Sequence, residues 1–258
     1  VSGMGTIAGS VMGTYIGMLG GTDPAAKVLF ATHLLSASVM AVPGSIVLAK
    51  MLCPQTEEAT DHVAISGKEK ENSNILDAIS SGTVTGVKLM TNIAAMLLVF
   101  ISLVALANYI TEGVIGRYTG LNDWIVKITD GKAQGLTFQF ILGVITSPFM
   151  WLIGVPSQDI MLVGSLLGQK TILNEFVAYF QLQQWKDAGL FMYEKSILMS
   201  TYILCGFANI SSIGILLGGL GVLAPEKRGL ISRIGVPAMI GGALVSVLSA
   251  TIIGMILG

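Results

Sequence analysis

Charged side chains are scarcer in this chain than a water-soluble fold allows. Of its 258 residues, 14 are Lys or Arg and 15 are Asp or Glu, so 11% are charged while 53% are hydrophobic. Soluble domains average about 25% charged residues, which help to cover their surface. The net charge of -1 offers no basic excess for phosphates, which argues against nucleic acid as a partner. The sequence therefore predicts an all-α integral membrane protein that is surrounded by lipid.

Glycine is the second unusual feature, with 32 residues in the chain. This is roughly 12%, against an average of about 7%. In lipid, small residues allow close helix packing and mark places where a helix breaks. Five of them fall four residues apart near the start of the chain, at Gly5, Gly9, Gly13, Gly17 and Gly21. That stripe is either a packing groove or a backbone surface near a ligand, and both readings stay open.

A weak internal repeat links the two ends of the chain. Residues 3–10 align with residues 206–213, which pairs Thr6 with Asn209 and Ile7 with Ile210. Both segments are apolar spans with small polar residues in the middle, and interrupted spans in corresponding positions are typical of transporter binding sites. Two short apolar runs around residues 154–159 further predict a re-entrant helical hairpin. The expected architecture is a transporter with inverted repeats and broken transmembrane helices.

Three polar residues interrupt the later apolar segments. Glu175 lies in a neutral stretch, and a carboxylate at membrane depth needs a wet cavity or a partner. Asn209 and Ser212 lie three residues apart, hence on one helix face or at a broken helix end. Together they offer donors and acceptors that suit a polyhydroxylated solute such as a sugar ring. The alternatives are an interfacial position for Glu175 and plain interhelical hydrogen bonds for the other two.

No pattern in the chain favours an enzyme. The sequence lacks metal-binding spacing, HExxH, a Walker A loop and GxSxG. Cys53 and Cys205 show no CxxC spacing, and we interpret them as membrane-buried free thiols.

Six stretches resemble the concentrative nucleoside transporter family. They are GTIAGSVMGTYI at 5–16, SASVMAVPGSIVLAK at 36–50, NILDAISSGTVTGVKLMTNIAAML at 74–97, GVPSQD at 154–159, NEFVAY at 174–179 and CGFANISSIGI at 205–215. The last two are the most specific. The chain is similar to the C-terminal portion of a bacterial nucleoside permease, and Ser157 stands where the family usually has an aromatic residue.

The resemblance implies a set of residues that contact the nucleoside, namely Glu175, Asn209, Ser212, Phe207, Phe180 and Val11. The first three would hold the ribose, the two phenylalanines would form pocket walls, and the valine would lie near the base. It also implies a partial sodium site, with Thr6 contributing its hydroxyl and Ile7 its carbonyl. Freed carbonyls of an unwound helix suit a small cation.

The resemblance further implies a homotrimer in the cytoplasmic membrane, with a scaffold domain and a mobile transport domain in each protomer. Nucleosides would enter with Na⁺ or H⁺ by an elevator-type movement, and no other cofactor is expected. The family's first hairpin would precede Val1, so we expect that these residues alone do not transport.

Combined with the hydropathy pattern, the resemblance predicts seven segments. They are a broken transmembrane helix of the first repeat at 1–22, a transmembrane helix at 25–54, a polar loop and interfacial amphipathic helix at 55–90, a scaffold transmembrane helix at 91–117, an interfacial helix and second re-entrant hairpin at 121–187, a broken transmembrane helix of the second repeat at 194–224, and a final transmembrane helix at 229–258.

Two rival functions remain. One is another elevator-type carrier for small polar solutes, which would be expected to place Arg or Lys near the broken helices to meet an anionic substrate. The other is a membrane-embedded subunit that binds without transport, which would not need a carboxylate and an Asn/Ser pair on repeat-related elements. The sequence leaves open the choice between Na⁺ and H⁺ and the preference for purines or pyrimidines.

Overall fold

The computed structural model describes residues 1–54, 74–129, 131, 133–223, 226 and 228–258. Every regular element within these ranges is helical, which confirms the predicted all-α class. The α-helices are α1 Ser2–Gly5, α2 Gly9–Gly20, α3 Pro24–Leu52, α4 Ile75–Asn108, α5 Arg117–Thr119, α6 Leu121–Ile128, α7 Phe138–Leu152, α8 Ile160–Ile172, α9 Glu175–Asp187, α10 Glu194–Leu204, α11 Ile210–Leu223 and α12 Arg228–Leu257, and a π-helical segment, Tyr109–Gly116, follows α4.

Two helices, α3 and α12, are long and apolar enough to cross a membrane. They have 29 and 30 residues, and at 1.5 Å per residue each is about 45 Å long, more than the hydrocarbon core of about 30 Å. Helix α3 begins where the Asp23 carboxylate accepts hydrogen bonds from the N–H groups of Ala25 and Ala26 at 2.9 and 3.3 Å. Pro24 occupies its first position, where the missing N–H costs nothing.

The two segments that the internal repeat aligns, near residues 3–10 and 206–213, each lie at a helix break. Helix α1 ends at Gly5, and Thr6 and Ala8 have extended backbones before α2 begins. We call Thr6–Ala8 the first break. Helix α10 ends at Leu204, and α11 begins at Ile210. We call residues 205–209 the second break.

The second break packs against the end of α1 at Gly206. Its φ of 148° lies in a region that favours glycine. A Cβ atom at this position would lie 3.0 Å from the carbonyl oxygens of Met4 and Gly5 and 3.0 Å from Ser246 Oγ. The second break therefore rests directly on the carboxyl end of α1.

Helices α7, α8 and α9 fold back on one another. Helices α7 and α8 pack closely because glycines face the neighbouring helix: a Cβ at Gly143 would lie 2.8 Å from the Met161 carbonyl oxygen, and one at Gly168 would lie 2.6 Å from Leu142 Cβ. The polar segment 154–159 joins α7 to α8. A second, tighter reversal at residues 173–174 joins α8 to α9. The sequence pointed only to the first of these turns.

Helix α4 differs from the expected segmentation. The sequence predicts an interfacial helix that ends near residue 90 and a separate span from residue 91, but α4 runs without interruption from Ile75 to Asn108. Its 34 residues extend over about 51 Å. Asn74 caps its start by accepting a hydrogen bond from the N–H of Asp77 at 2.9 Å. The rest of the predicted polar loop, residues 55–73, lies outside the described residues.

The main hydrophobic core is formed by α2, α3, α8, α9, α10 and α12, with residues of α7 and of the first break. Tyr15, Tyr179 and Tyr202 are its largest side chains, each exposed by 1% or less. Within the described part of α4–α6, no residue belongs to this core. Helices α4–α6 therefore pack beside this core and contribute no described residue to it.

Candidate functional site

The carboxylate of Glu175 lies at the start of α9, directly after the tight turn that follows α8. Asn174 caps this helix, since its side chain accepts a hydrogen bond from the N–H of Val177 at 2.9 Å. A carboxylate in the first turn of a helix is favoured by the partial positive charge of that end. Glu175 is only 4% exposed, so its charge is held inside the protein next to a helix N-terminus.

Asn209 connects this carboxylate to the second break. Its Nδ2 donates a hydrogen bond of 2.8 Å to Glu175 Oε2. Its Oδ1 accepts from the N–H of Ser212 at 2.8 Å, which is the geometry of an N-cap for α11. One side chain thus begins a helix and binds the buried carboxylate at the same time.

Ser212 completes the polar cluster in the first turn of α11. Its hydroxyl lies within 2.8 Å of Asn209 Oδ1 and also contacts the carbonyl oxygen of Phe207. A hydroxyl has one hydrogen to donate, so it can serve only one of these acceptors at a time. The structure therefore brings Glu175, Asn209 and Ser212 into one buried network. The spacing in the sequence predicted only that Asn209 and Ser212 lie close together.

The first break holds Thr6 and Ile7 next to the carboxyl end of α1. The Thr6 hydroxyl donates to the carbonyl oxygen of Ser2 at 3.1 Å, and its own oxygen keeps lone pairs for another partner. Ile7 is 8% exposed, and its side chain packs into the core. Among the described residues, no group of three or more His, Cys, Asp or Glu side chains could hold a metal ion.

The apolar residues of the predicted site are distributed unevenly. Phe207 in the second break and Val11 on α2 both pack against the core as partly buried side chains. Phe180 is 48% exposed and lines a cavity of about 660 Å³ together with Thr14 and Phe176. It lies five residues after Glu175 on α9, about 140° around the helix. The structure does not bring Phe180 into the polar cluster.

Tyr15 is a site residue that the sequence analysis missed. Its ring is fully buried and stacks on Tyr179, with the ring centroids 4.0 Å apart. Its hydroxyl lies close enough to the Glu175 carboxylate to interact with it, although it meets no described partner within hydrogen-bonding geometry. Val11 and Tyr15 are four residues apart on α2, so extending the face that carries Val11 by one turn would have found it.

Lys170 is a second residue that the sequence analysis passed over. It lies near the end of α8 and is completely buried, with an exposure of 0%. The rule that draws attention to an ionisable group within an apolar segment applies to Lys170 as well as to Glu175.

The chain is similar to known transporters along almost its whole length. It matches the family described as the Na⁺ dependent nucleoside transporter C-terminus over residues 33–254. It is 39% identical to an uncharacterized transporter of Haemophilus influenzae, over 100% of this chain and 57% of that protein. It is 37% identical to sodium/nucleoside cotransporter 1 of Rattus norvegicus, over 98% of this chain and 38% of that protein.

A solved structure gives the same result for the fold. CNTnw in an inward-facing substrate-bound state superposes with a TM-score of 0.77 at 34% identity, over 99% of this chain and 56% of that chain. The chain therefore spans about half the length of the bacterial transporter and of CNTnw. These proteins are transporters and not enzymes, in agreement with the sequence analysis. The chain belongs to the family of Na⁺ dependent nucleoside transporters and matches the C-terminal part that defines it.

Proposed function

We propose that the full-length protein that carries this chain is a cation-coupled nucleoside symporter of the cytoplasmic membrane. The observation that carries the proposal is the buried network of Glu175, Asn209 and Ser212, in which an amide nitrogen lies 2.8 Å from a carboxylate oxygen. A carboxylate, an amide and a hydroxyl next to one another match the hydroxyls of a ribose. Phe207 and Val11, and Phe180 after a local rearrangement, would contact the rest of the nucleoside.

The coupling ion is Na⁺ in this proposal, and it binds at the first break. The Thr6 hydroxyl and the Ile7 carbonyl supply neutral oxygens at the end of α1, where the helix leaves carbonyls free and carries partial negative charge. The family description also names Na⁺. Transport measured at fixed pH in sodium chloride and in choline chloride distinguishes this ion from H⁺, because only a sodium-coupled protein loses uptake in choline.

Movement of the site would follow an elevator-type mechanism within a homotrimer. The breaks and the α8–α9 hairpin belong to one core, whereas α4–α6 pack beside it. A cavity of about 730 Å³ lies between the two, lined on one side by Asn108 and Glu112 and on the other by Gln181 and Trp185. Such a division suits a scaffold and a sliding transport domain. In this arrangement the re-entrant hairpin is formed by α8 and α9, and not by the two apolar runs around residues 154–159 that the sequence pattern favoured. Helices α1–α2 and α10–α11 would be the broken helices of two inverted repeats.

The central test is the exchange of Glu175→Gln in the full-length protein. The variant keeps the shape of the side chain but loses the charge that strengthens hydrogen bonds to hydroxyls. We expect uptake of radiolabelled uridine to fall by at least tenfold in cells that contain equal amounts of either protein. Glu194→Gln is the matched control, because Glu194 is exposed at the start of α10. Wild-type uptake by the Glu175 variant would refute the ribose assignment.

A further inference from the structure

The ammonium group of Lys170 is held by two neutral oxygens beside the second break. Nζ donates to the carbonyl oxygen of Ile203 at 2.7 Å and to Ser246 Oγ at 3.0 Å. Removing an ammonium from water is expensive unless its hydrogen bonds are replaced. A lysine that is 0% exposed is therefore unusual at a position whose side chain serves only to pack against its neighbours.

Lys170 belongs to a set of side chains that satisfy the end of α10. The last carbonyls of a helix have no partner within it and carry partial negative charge. Here the Tyr179 hydroxyl donates to the Thr201 carbonyl at 2.8 Å, Lys170 donates to that of Ile203, and Ser246 Oγ donates to that of Cys205 at 2.9 Å. These donors come from α9, α8 and α12. Lys170 is the one that brings a full positive charge.

The end of α1 at the first break is treated differently. The carbonyl oxygens of Met4 and Gly5 face Gly206. In the part of the chain that the structure describes, no side chain donates a hydrogen bond to either of them, and Thr6 turns back to Ser2 instead. The end of α1 thus receives no side-chain hydrogen bond at Met4 or Gly5 from the described residues, whereas the end of α10 is bound by the ammonium of Lys170.

We propose that Lys170 is a positioning residue whose ammonium acts as a tethered cation at the second break, holding residues 205–212 in the geometry that binds the nucleoside. The inference deepens the proposed function and rests on it. The connection is short: Ile203 precedes Asn209 by six residues. Ser246 extends the contact to Cys205 inside the break itself. Without the ammonium, the Ile203 carbonyl and the Ser246 hydroxyl would bind water or other partners, and the segment between Ile203 and Asn209 would shift.

The test compares uptake kinetics of full-length variants at equal surface amounts. Lys170→Met keeps the length of the side chain and removes the charge. We expect the KM for uridine to rise at least tenfold while the maximal rate stays within threefold, since a displaced Asn209 weakens binding. A general loss of folded protein would do the reverse, lowering the maximal rate and leaving KM unchanged. Ser246→Ala should raise KM by about threefold, and adding it to Lys170→Met should change KM by less than twofold, because both residues hold the same break.

The matched control is Lys186→Met on the same hairpin. Lys186 also donates to a helix-end carbonyl, that of Leu19 at the end of α2, at 2.8 Å. This contact lies away from the second break, so its loss should leave the KM for uridine within twofold of wild type. An equal rise in both lysine variants would overturn the proposal. So would a Lys170→Met variant with a wild-type KM.

Alkylation of Cys205 gives a measurement that does not depend on substrate. This thiol is buried in the second break. We expect N-ethylmaleimide to modify the peptide containing Cys205 at least fivefold faster in Lys170→Met than in wild type, as measured by mass spectrometry. If wild-type protein transports no nucleoside, the proposed function fails, and faster alkylation still supports the tethered cation. Unchanged alkylation overturns it. If Lys170→Met does not fold, Ser246→Ala decides, and unchanged KM and alkylation in that variant overturn the proposal.

Discussion

Gly206→Ala is the substitution whose effect the structure defines most closely. The φ of 148° at this residue places a non-glycine side chain in a strained region, which costs about 1–3 kcal/mol. The new methyl group would also lie 3.0 Å from the carbonyl oxygens of Met4 and Gly5. These are backbone atoms that cannot rotate away, and overpacking of this kind costs roughly another 1–3 kcal/mol.

The two costs together amount to about 2–6 kcal/mol, or at least a 30-fold change in an equilibrium at about 1.4 kcal/mol per factor of ten. At roughly 2–4 °C per kcal/mol for a domain of this size, the thermal midpoint should fall by about 4 °C or more. We expect this shift in detergent-solubilised full-length protein, measured by tryptophan fluorescence, together with a loss of uridine uptake.

Gly44→Ala is the control, because its new methyl group meets Val245 Cγ1 at 3.5 Å, an ordinary contact inside a regular helix. The control should unfold within about 2 °C of wild type, which corresponds to less than about 1 kcal/mol. A Gly206→Ala protein with a wild-type midpoint and full uptake would show that Gly206 does not pack against the end of α1 as described.

Two further substitutions test contacts around the site. Tyr15→Phe keeps the stack on Tyr179 and removes a hydroxyl that meets no described partner in hydrogen-bonding geometry. The thermal midpoint should therefore stay the same or rise. We expect the KM for uridine to increase by about three- to tenfold, which corresponds to the loss of one hydrogen bond to the substrate. An unchanged KM would remove Tyr15 from the site. Asp159→Ala deletes a buried carboxylate that accepts hydrogen bonds from the N–H groups of Met192 and Tyr193 at 3.0 and 3.1 Å. We expect the free energy of unfolding to fall by about 2–4 kcal/mol, because two charge-assisted hydrogen bonds are lost, and the thermal midpoint to fall with it. An unchanged midpoint would contradict this role.

Local patterns were sufficient to place Asn209 and Ser212 together and to single out Glu175, but not to predict the contact between Glu175 and Asn209. Asn209 and Ser212 are close in sequence, and an Asn before an apolar run is a common helix start, so their placement follows from short-range geometry. Glu175 could be singled out because few ionisable groups interrupt the apolar segments. The breaks were predicted for a similar reason, since they coincide with small and polar residues inside apolar spans.

Contacts between distant elements could not be predicted in this way. Lys170 and Ser246 meet across 76 residues of sequence, and no periodic pattern relates them. Phe180 was assigned to the site although its position on α9 turns it away from Glu175. The continuity of α4 was missed because Asp77 and Lys88 suggested an interfacial helix, yet nothing between residues 75 and 108 obliges the backbone to stop.

The contact at Gly206 has a thermodynamic consequence. It places the segment proposed to bind the nucleoside against the end of α1, which directly precedes the segment proposed to bind Na⁺. An ion bound by Thr6 and Ile7 would also fix the end of α1 and so restrict Gly206, which would lower the conformational entropy that remains to be lost when the nucleoside binds. Linkage then requires reciprocity: whatever factor the ion adds to the affinity for nucleoside, the nucleoside adds to the affinity for the ion. Close packing of Gly206 on the end of α1 would in this way make each proposed ligand an allosteric effector of the other.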